Sequence, residues 1–167
     1  MAADTGRRAA VITISDGCAN GTRTDTSGDA AEAWLIQLGI RAVARQVVPD
    51  DAEAISAAVL DAAASAHLVV TTGGTGLGPR DVTPQTVGPL LDYPIPGIAE
   101  AMRSAGRRST PHAMLSRQLA GVSGGALVLV LPGSTSGVIE SLDAVAAALP
   151  HALDILAGAT GHAEPQD

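Results

Sequence analysis

Residues 67–84, HLVVTTGGTGLGPRDVTP, decide how the chain folds. A short apolar run, rich in β-branched residues, passes without a break into four glycines within six positions, the pattern of a buried strand ending in a tight turn. Upstream, residues 9–15 (AAVITIS) and 41–48 (RAVARQVV) read as two more strands. Between them, residues 28–38 read as a helix with Ala31, Trp34, Leu35 and Leu38 on one face, capped by Thr26 or Ser27 and ended by Gly39. Residues 51–63 form a second helix with Ile55, Ala58, Val59 and Ala62 facing inward.

Downstream, Thr83 and Pro84 make a cap and first-turn pair for a short helix limited by Gly88 and Pro89. Residues 96–107 are helical, and residues 118–122 and 126–131, separated by SGG, form a hairpin leading to a central strand. Residues 136–156 carry Val138, Leu142, Val145 and Leu149 at helical spacing, with a kink or split at Pro150. Strands alternating with helices imply parallel strands joined by right-handed crossovers, with helices on both faces. The expected fold is therefore α/β, with a mostly parallel central sheet and a small β-hairpin. One domain spans residues 9–157, between an N-terminal tail (1–8) and a flexible, polar C-terminal tail (158–167).

The 167 residues are 46% hydrophobic and 16% charged, which suits one globular domain. With no Phe, one Trp and one Tyr, the core must be built from Ala, Val, Leu and Ile. Net charge is −7, and all ten basic residues are Arg, so there is no cationic field to hold a nucleic-acid backbone. Anion binding must then fall to Arg and to backbone N–H groups. The single Cys18 can form no internal disulfide and reads as a bystander; the N-terminal sequence lacks a secretory pattern and no apolar run would span a membrane. The expected setting is cytoplasmic.

In open α/β sheets ligands bind beyond the carboxyl ends of the strands, and four polar clusters fall there. They are Ser15-Asp16 with residues 25–28, Pro49-Asp50, the run from Gly73 to Asp81, and residues 132–137. Gly73, Gly74 and Gly76 can turn successive N–H groups inward as an anion nest, and Thr75 adds a hydroxyl. A plain tight turn is the competing reading, but four glycines followed by Arg and Asp favour the nest. The spacing is neither a P-loop, which needs Gly-Lys-Ser/Thr, nor a dinucleotide fingerprint, which Pro79 spoils. A carboxylate at Asp81 beside phosphates calls for a divalent cation between them, so Asp81 reads as a magnesium ligand, against the alternative of a helix cap. For Asp50 the pattern Asp50-x-x-Glu53 favours a capping box. Ser134 could cap the last helix or bind an anion there. Arg80, Arg103 and Arg117 are candidate phosphate clamps, against the commoner alternative of solvated surface groups, whereas His67, His112, His151 and His162 lack metal-ligand spacing.

The ordered motifs ISDG with DTSG, VPDD (48–51), TTGGTGLGPRDVTP, PGIAEAMR (96–103), MLSRQLAGV (114–122) and LPGS (131–134) resemble the molybdenum-cofactor biosynthesis proteins of the MoaB/Mog type, related to domains of gephyrin and plant Cnx. The resemblance covers about residues 11–156. It implies a three-layer α/β/α sandwich, a homotrimer, and a site for molybdopterin, a pterin dithiolene with a terminal phosphate. Enzymatic members adenylylate that phosphate with Mg-ATP and release pyrophosphate. Carried over by motif, Asp50 and Asp81 match two functionally important aspartates, which reverses the capping preference for Asp50. The resemblance thus assigns Asp50 and Asp81 to catalysis and Mg²⁺, with Ser15, Asp16, Gly73, Gly74, Thr75, Gly76, Glu100, Ser116 and Ser134 around substrate and phosphate. Two positions depart from the family's usual pattern: Gly17, where a longer polar residue is common, and Thr135, where proline is. The expected activity is molybdopterin adenylyltransferase, with a non-catalytic molybdopterin carrier of the same pathway as the alternative. Other proteins of that pathway are possible partners.

Overall fold

The structure is a computed structural model and describes residues 4–158. Six strands form one sheet in the order β2-β1-β3-β6-β5-β4. β1 (Arg8–Ile14) lies between β2 (Ala42–Val48) and β3 (Leu68–Thr72), and both pairings are parallel. β3 continues the parallel run into β6 (Ala126–Leu131). β5 (Leu119–Ser123) and the two-residue β4 (Tyr93–Pro94) complete the sheet antiparallel. The hairpin is thus built into the sheet, and its turn is made by Gly124 and Gly125 at φ of +56° and +85°. Two successive positive φ values are what a tight hairpin turn demands.

Side-chain alternation explains the layers. On β1, Ala9 and Val11 point to one face and Ala10, Ile12 and Ile14 to the other; on β6, Leu127, Leu129 and Leu131 oppose Ala126, Val128 and Val130. The first face receives α2 (Thr26–Gln37), α5 (Pro96–Ser109), α6 (Thr135–Val145) and α7 (Leu149–Leu156), through Ala31, Leu35, Met102, Leu142 and Leu149. The second receives α3 (Ala52–Ser65) and α4 (Thr83–Val87), through Ile55, Val59 and Val87. Helices therefore cover both faces, as the alternation of strands and helices requires.

Several boundaries differ from the sequence reading. α2 starts two residues early because Asp25, not Thr26 or Ser27, is its cap, accepting from the Gly28 N–H at 2.8 Å. Residues expected to form a plain loop contain the four-residue helix α1 (Asp16–Ala19). Thr83 does not cap α4; it lies inside that helix and its hydroxyl donates to the Gly73 carbonyl at 3.0 Å. The final helix is two, with Pro150 in the first turn of α7, where its missing N–H costs nothing. β1 begins at Arg8, and before it Thr5 donates through N–H and hydroxyl to the Gly39 carbonyl, so this stretch is tied to the domain. The expected C-terminal tail beyond Gly158, with His162, lies outside the described residues.

Candidate functional site

From β1 the chain crosses to β2 on one side, and from β2 to β3 on the other, so the crevice beyond the ends of β1 and β3 is a topological switch point. A polar pocket of about 340 Å³ opens there, between Ser15, Asp50, Gly73 to Gly76, Asp81 and Ser134. The fold thus gathers these expected residues around one pocket; Ser116 lines the pocket beside it, Asp16 lines neither but bonds to Asp50, and one residue stands apart. Glu100 is exposed on α5 and lines neither this pocket nor the one beside it.

The glycine run is shaped from below. Gly73 and Gly74 have φ of +98° and +65°, whereas Gly76 does not adopt positive φ. The Gly73 N–H is used by the Leu131 carbonyl at 3.1 Å, while the N–H groups of Gly74, Thr75 and Gly76 meet no protein acceptor among the described residues. Arg117 fixes the carbonyl side: Nε and Nη2 donate to Gly76 O at 3.0 and 2.8 Å, and Nη2 to Asp81 O at 2.6 Å. Arg117 is thus a strut of the turn, neither a phosphate clamp nor a solvated surface group. Arg103 likewise is spent on the Gln118 carbonyl at 2.6 Å. The Thr75 hydroxyl is paired with that of Ser116 at 3.2 Å, which brings Ser116 to the edge of the cradle.

Both expected aspartates stand over this cradle. A Cβ on Gly74 would come within 3.3 Å of Asp50 Oδ1, and one on Gly76 within 2.9 Å of Asp81 Oδ2. Asp51, not Asp50, caps α3 by accepting from the Ala54 N–H at 2.9 Å, so the capping reading of Asp50 was displaced by one residue. Asp50 instead exchanges bonds with Asp16: Asp16 N–H donates to Asp50 Oδ2 at 2.9 Å, and Asp50 N–H to Asp16 Oδ1 at 3.0 Å. Asp81 accepts from the Gly78 N–H at 2.8 Å, and α4 has no side-chain cap. Ser15 caps α1, and Ser134 caps α6 by accepting from Gly137 N–H at 3.2 Å while lining the pocket.

The electrostatics separate the carboxylates. Burial pushes the Asp50 carboxyl above its ordinary value; the Asp16 N–H bond opposes this, and the charges of Asp16 and Asp81 add to it. Asp16 moves the other way, chiefly because Arg80 binds it through two nitrogens at 2.8 to 3.0 Å. A divalent cation between Asp50 and Asp81 would relieve the repulsion that Asp50 carries. Among the described residues no group of three His, Cys, Asp or Glu side chains is placed to hold a metal, so water and phosphate oxygens would complete the shell, as is common for Mg²⁺.

The wall formed by Thr24, Thr26 and Ser27 is braced from below by Asp25, part of the expected cluster at 25–28, together with Thr13 and Arg45, which carry no sequence signal. Asp25 accepts from Thr13 Oγ1 and Arg45 Nη2, both at 2.6 Å, and Arg45 also reaches Glu32 at 2.7 Å. Burial works against the Asp25 charge, but the Thr13, Gly28 and Arg45 bonds outweigh it and hold its carboxyl below the ordinary value. That lowering stabilises the fold above the unfolded carboxyl value and is lost as pH falls through the folded one. Arg45→Met should cost about 2–3 kcal/mol at neutral pH in chemical denaturation, because it strands a mostly buried carboxylate. It should also make stability less sensitive to acid.

A second pocket of about 440 Å³ adjoins the first and shares Thr75, Gly76 and Ser134 with it. Its walls include Leu77, Met102, Ala113 and Leu115, with Ser116 and the buried Gln118 Nε2, which donates to Ser141 Oγ at 2.7 Å.

A doubly wound sheet whose switch point carries a backbone cradle under two carboxylates defines an α/β protein suited to a phosphorylated ligand. Over residues 10–151 the chain matches the family described as "Probable molybdopterin binding domain", and it belongs to that family. It is 41% identical to a molybdenum cofactor biosynthesis bifunctional protein of Synechococcus elongatus over 152 residues, 90% of this chain and 48% of that one. The chain thus spans about half the length of that relative. It is 33% identical to the molybdopterin adenylyltransferase of Helicobacter pylori strain J99, covering 89% of this chain and 86% of that one. The crystal structure of the molybdopterin biosynthesis enzyme MoaB from Thermus thermophilus superposes with a TM-score of 0.85 at 44% identity, covering 91% of this chain and 97% of that one.

Proposed function

We propose that the chain acts in molybdenum cofactor biosynthesis as a molybdopterin adenylyltransferase. The observation that carries this is the pairing of Asp50 and Asp81 above N–H groups that meet no protein acceptor among the described residues, in a pocket continuous with a second, more apolar one. The polar pocket suits the triphosphate of ATP and the adjoining one a flat heterocycle, with the shared edge at Thr75, Gly76 and Ser134 as the place where two phosphates meet.

The reaction joins an oxygen of the pterin's terminal phosphate to the α-phosphorus of ATP, while the bond from that phosphorus to its bridging oxygen breaks and pyrophosphate leaves. The attacking phosphate is already an anion at neutral pH, so no strong base is needed. The protein's task is to hold two anions in line and offset their charge. Gly74 to Gly76 supply donors, Arg117 keeps them aimed, and Asp50 and Asp81 would hold Mg²⁺. When bound, Mg²⁺ supplies charge neutralisation on the phosphates. This reading also carries a homotrimer, from the resemblance, and a cytoplasmic setting. Among the described residues no helix is long and apolar enough to cross a membrane.

The test mixes the purified protein with molybdopterin and Mg-ATP. Stoichiometric pyrophosphate and adenylylated pterin are expected, with no product when magnesium is chelated. Bound pterin without turnover would instead favour the carrier alternative.

A further inference from the structure

Among the described residues, the arginines around the polar pocket are committed, with one exception. Arg80 is held by Asp16, Arg45 by Asp25 and Glu32, and Arg117 by two carbonyls. Arg23 lines the pocket, is exposed, and among the described residues its guanidinium has neither an ion pair nor a hydrogen bond. Its backbone is nonetheless fixed, since the Arg23 N–H donates to the Gly17 carbonyl at 3.0 Å, and the Thr22 hydroxyl reaches the same oxygen at 3.3 Å. Its stem is seated as well: a Cβ on Gly17 would lie 3.2 Å from Arg23 Cβ and 3.4 Å from its Cδ. Gly17 thus leaves a trough in which the aliphatic part of Arg23 lies.

We propose that Arg23, seated on Gly17, is the cation that binds the terminal phosphates of the nucleotide. This rests on the nucleotide reading of the pocket. The pocket wall already carries two carboxylates, Asp50 and Asp81, and the chain has no Lys to offset a polyphosphate. The cradle of N–H groups is one anchor, and a triphosphate is long enough to need a second. A guanidinium offers a planar fork matched to phosphate oxygens, and one whose stem and backbone are already placed loses less freedom on binding.

The test measures binding of ATP, inorganic tripolyphosphate and AMP to the full chain by calorimetry with magnesium present, alongside pyrophosphate release. Arg23→Ala should weaken ATP and tripolyphosphate about 10-fold and leave AMP within about 2-fold, since one bidentate contact is lost. Gly17→Val should act in the same direction by crowding the stem, and the double variant should lose little more than Arg23→Ala alone. Wild-type ATP affinity in Arg23→Ala, in a protein whose wild type releases pyrophosphate, overturns the proposal and leaves the proposed activity standing. Equal loss for AMP and ATP overturns the assignment to the terminal phosphates. Failure of the wild type to bind ATP overturns both.

Discussion

Replacing Asp50 by Asn is expected to reduce pyrophosphate release roughly 10²- to 10³-fold, the scale of one lost electrostatic contact at a reacting phosphate, while the protein stays folded. The amide oxygen can still accept the Asp16 N–H that now donates at 2.9 Å, so the local frame survives. What disappears is the charge. Because burial and the neighbouring charges of Asp16 and Asp81 raise the Asp50 carboxyl above its ordinary value, the folded state holds its proton more tightly than the unfolded chain does. A raised carboxyl contributes stability at low pH that is lost as pH rises through the folded value. At neutral pH ionised Asp50 therefore works against the fold, and the Asn variant should melt at or above the wild type. A site residue that costs stability and is needed for turnover is the usual trade-off between the two. Wild-type activity should also fall on acidification at a pH above the ordinary aspartate range, and the residual activity of the variant should lack that limb. Asp81→Asn should lose comparable activity while keeping the bond from Gly78 N–H. Wild-type turnover in either folded variant would remove the carboxylate pair from the chemistry.

Much of this site was readable before the structure because strand ends in a parallel sheet are forced together. Once residues 67–72 are a strand, whatever follows them must stand beside whatever follows β1. That logic placed Ser15, Asp50, Gly73 to Gly76, Asp81 and Ser134 around one pocket. Apolar patterning also gave β6, and the inward face of α3 at Ile55, Ala58, Val59 and Ala62. What was not readable depends on contacts distant in sequence. Pro49-Asp50-Asp51 offers two aspartates to one helix start, and only the exchange with Asp16 shows that Asp51 is the cap. α1 has no apolar periodicity; it is held by the Ser15 cap and by Asp16 bonding to Asp50. β4 is two residues long and contains a proline, which is tolerable only because it lies at the sheet edge. Arg117 and Arg103 looked like free cations because a carbonyl acceptor leaves no trace in sequence. Arg45 passed as an ordinary strand residue for the same reason, since its partners lie on and before α2.

Gly73→Ala should destabilise the fold by about 3–5 kcal/mol, a large part of the 5–15 kcal/mol typical of a domain. Two costs combine at this position. The φ of +98° is outside what an L side chain readily adopts, and the added Cβ would sit 2.2 Å from the Ile14 carbonyl oxygen and 3.3 Å from its carbon. That neighbour cannot swing away. Ile14 is 2% exposed, ends β1, and is paired in register with Val48 of β2. Gly73 is pinned from the other side as well, by its N–H to the Leu131 carbonyl and its carbonyl to the Thr83 hydroxyl. Relief would have to part the ends of β1, β3 and β6, which are the ends that form the pocket. Gly124→Ala separates the two costs, because its φ of +56° imposes the dihedral penalty while a Cβ there meets nothing within 4 Å. About 1 kcal/mol is expected for it. Denaturant titration of both variants reads the difference, and nearly equal losses would mean that the β1 and β3 ends are loose enough to yield. A tight junction has a functional corollary: the same close approach sets the spacing between Ser15, after β1, and the N–H groups of Gly74 to Gly76. Any Gly73→Ala protein that remains folded in the cold should therefore bind tripolyphosphate more weakly than its stability alone would explain.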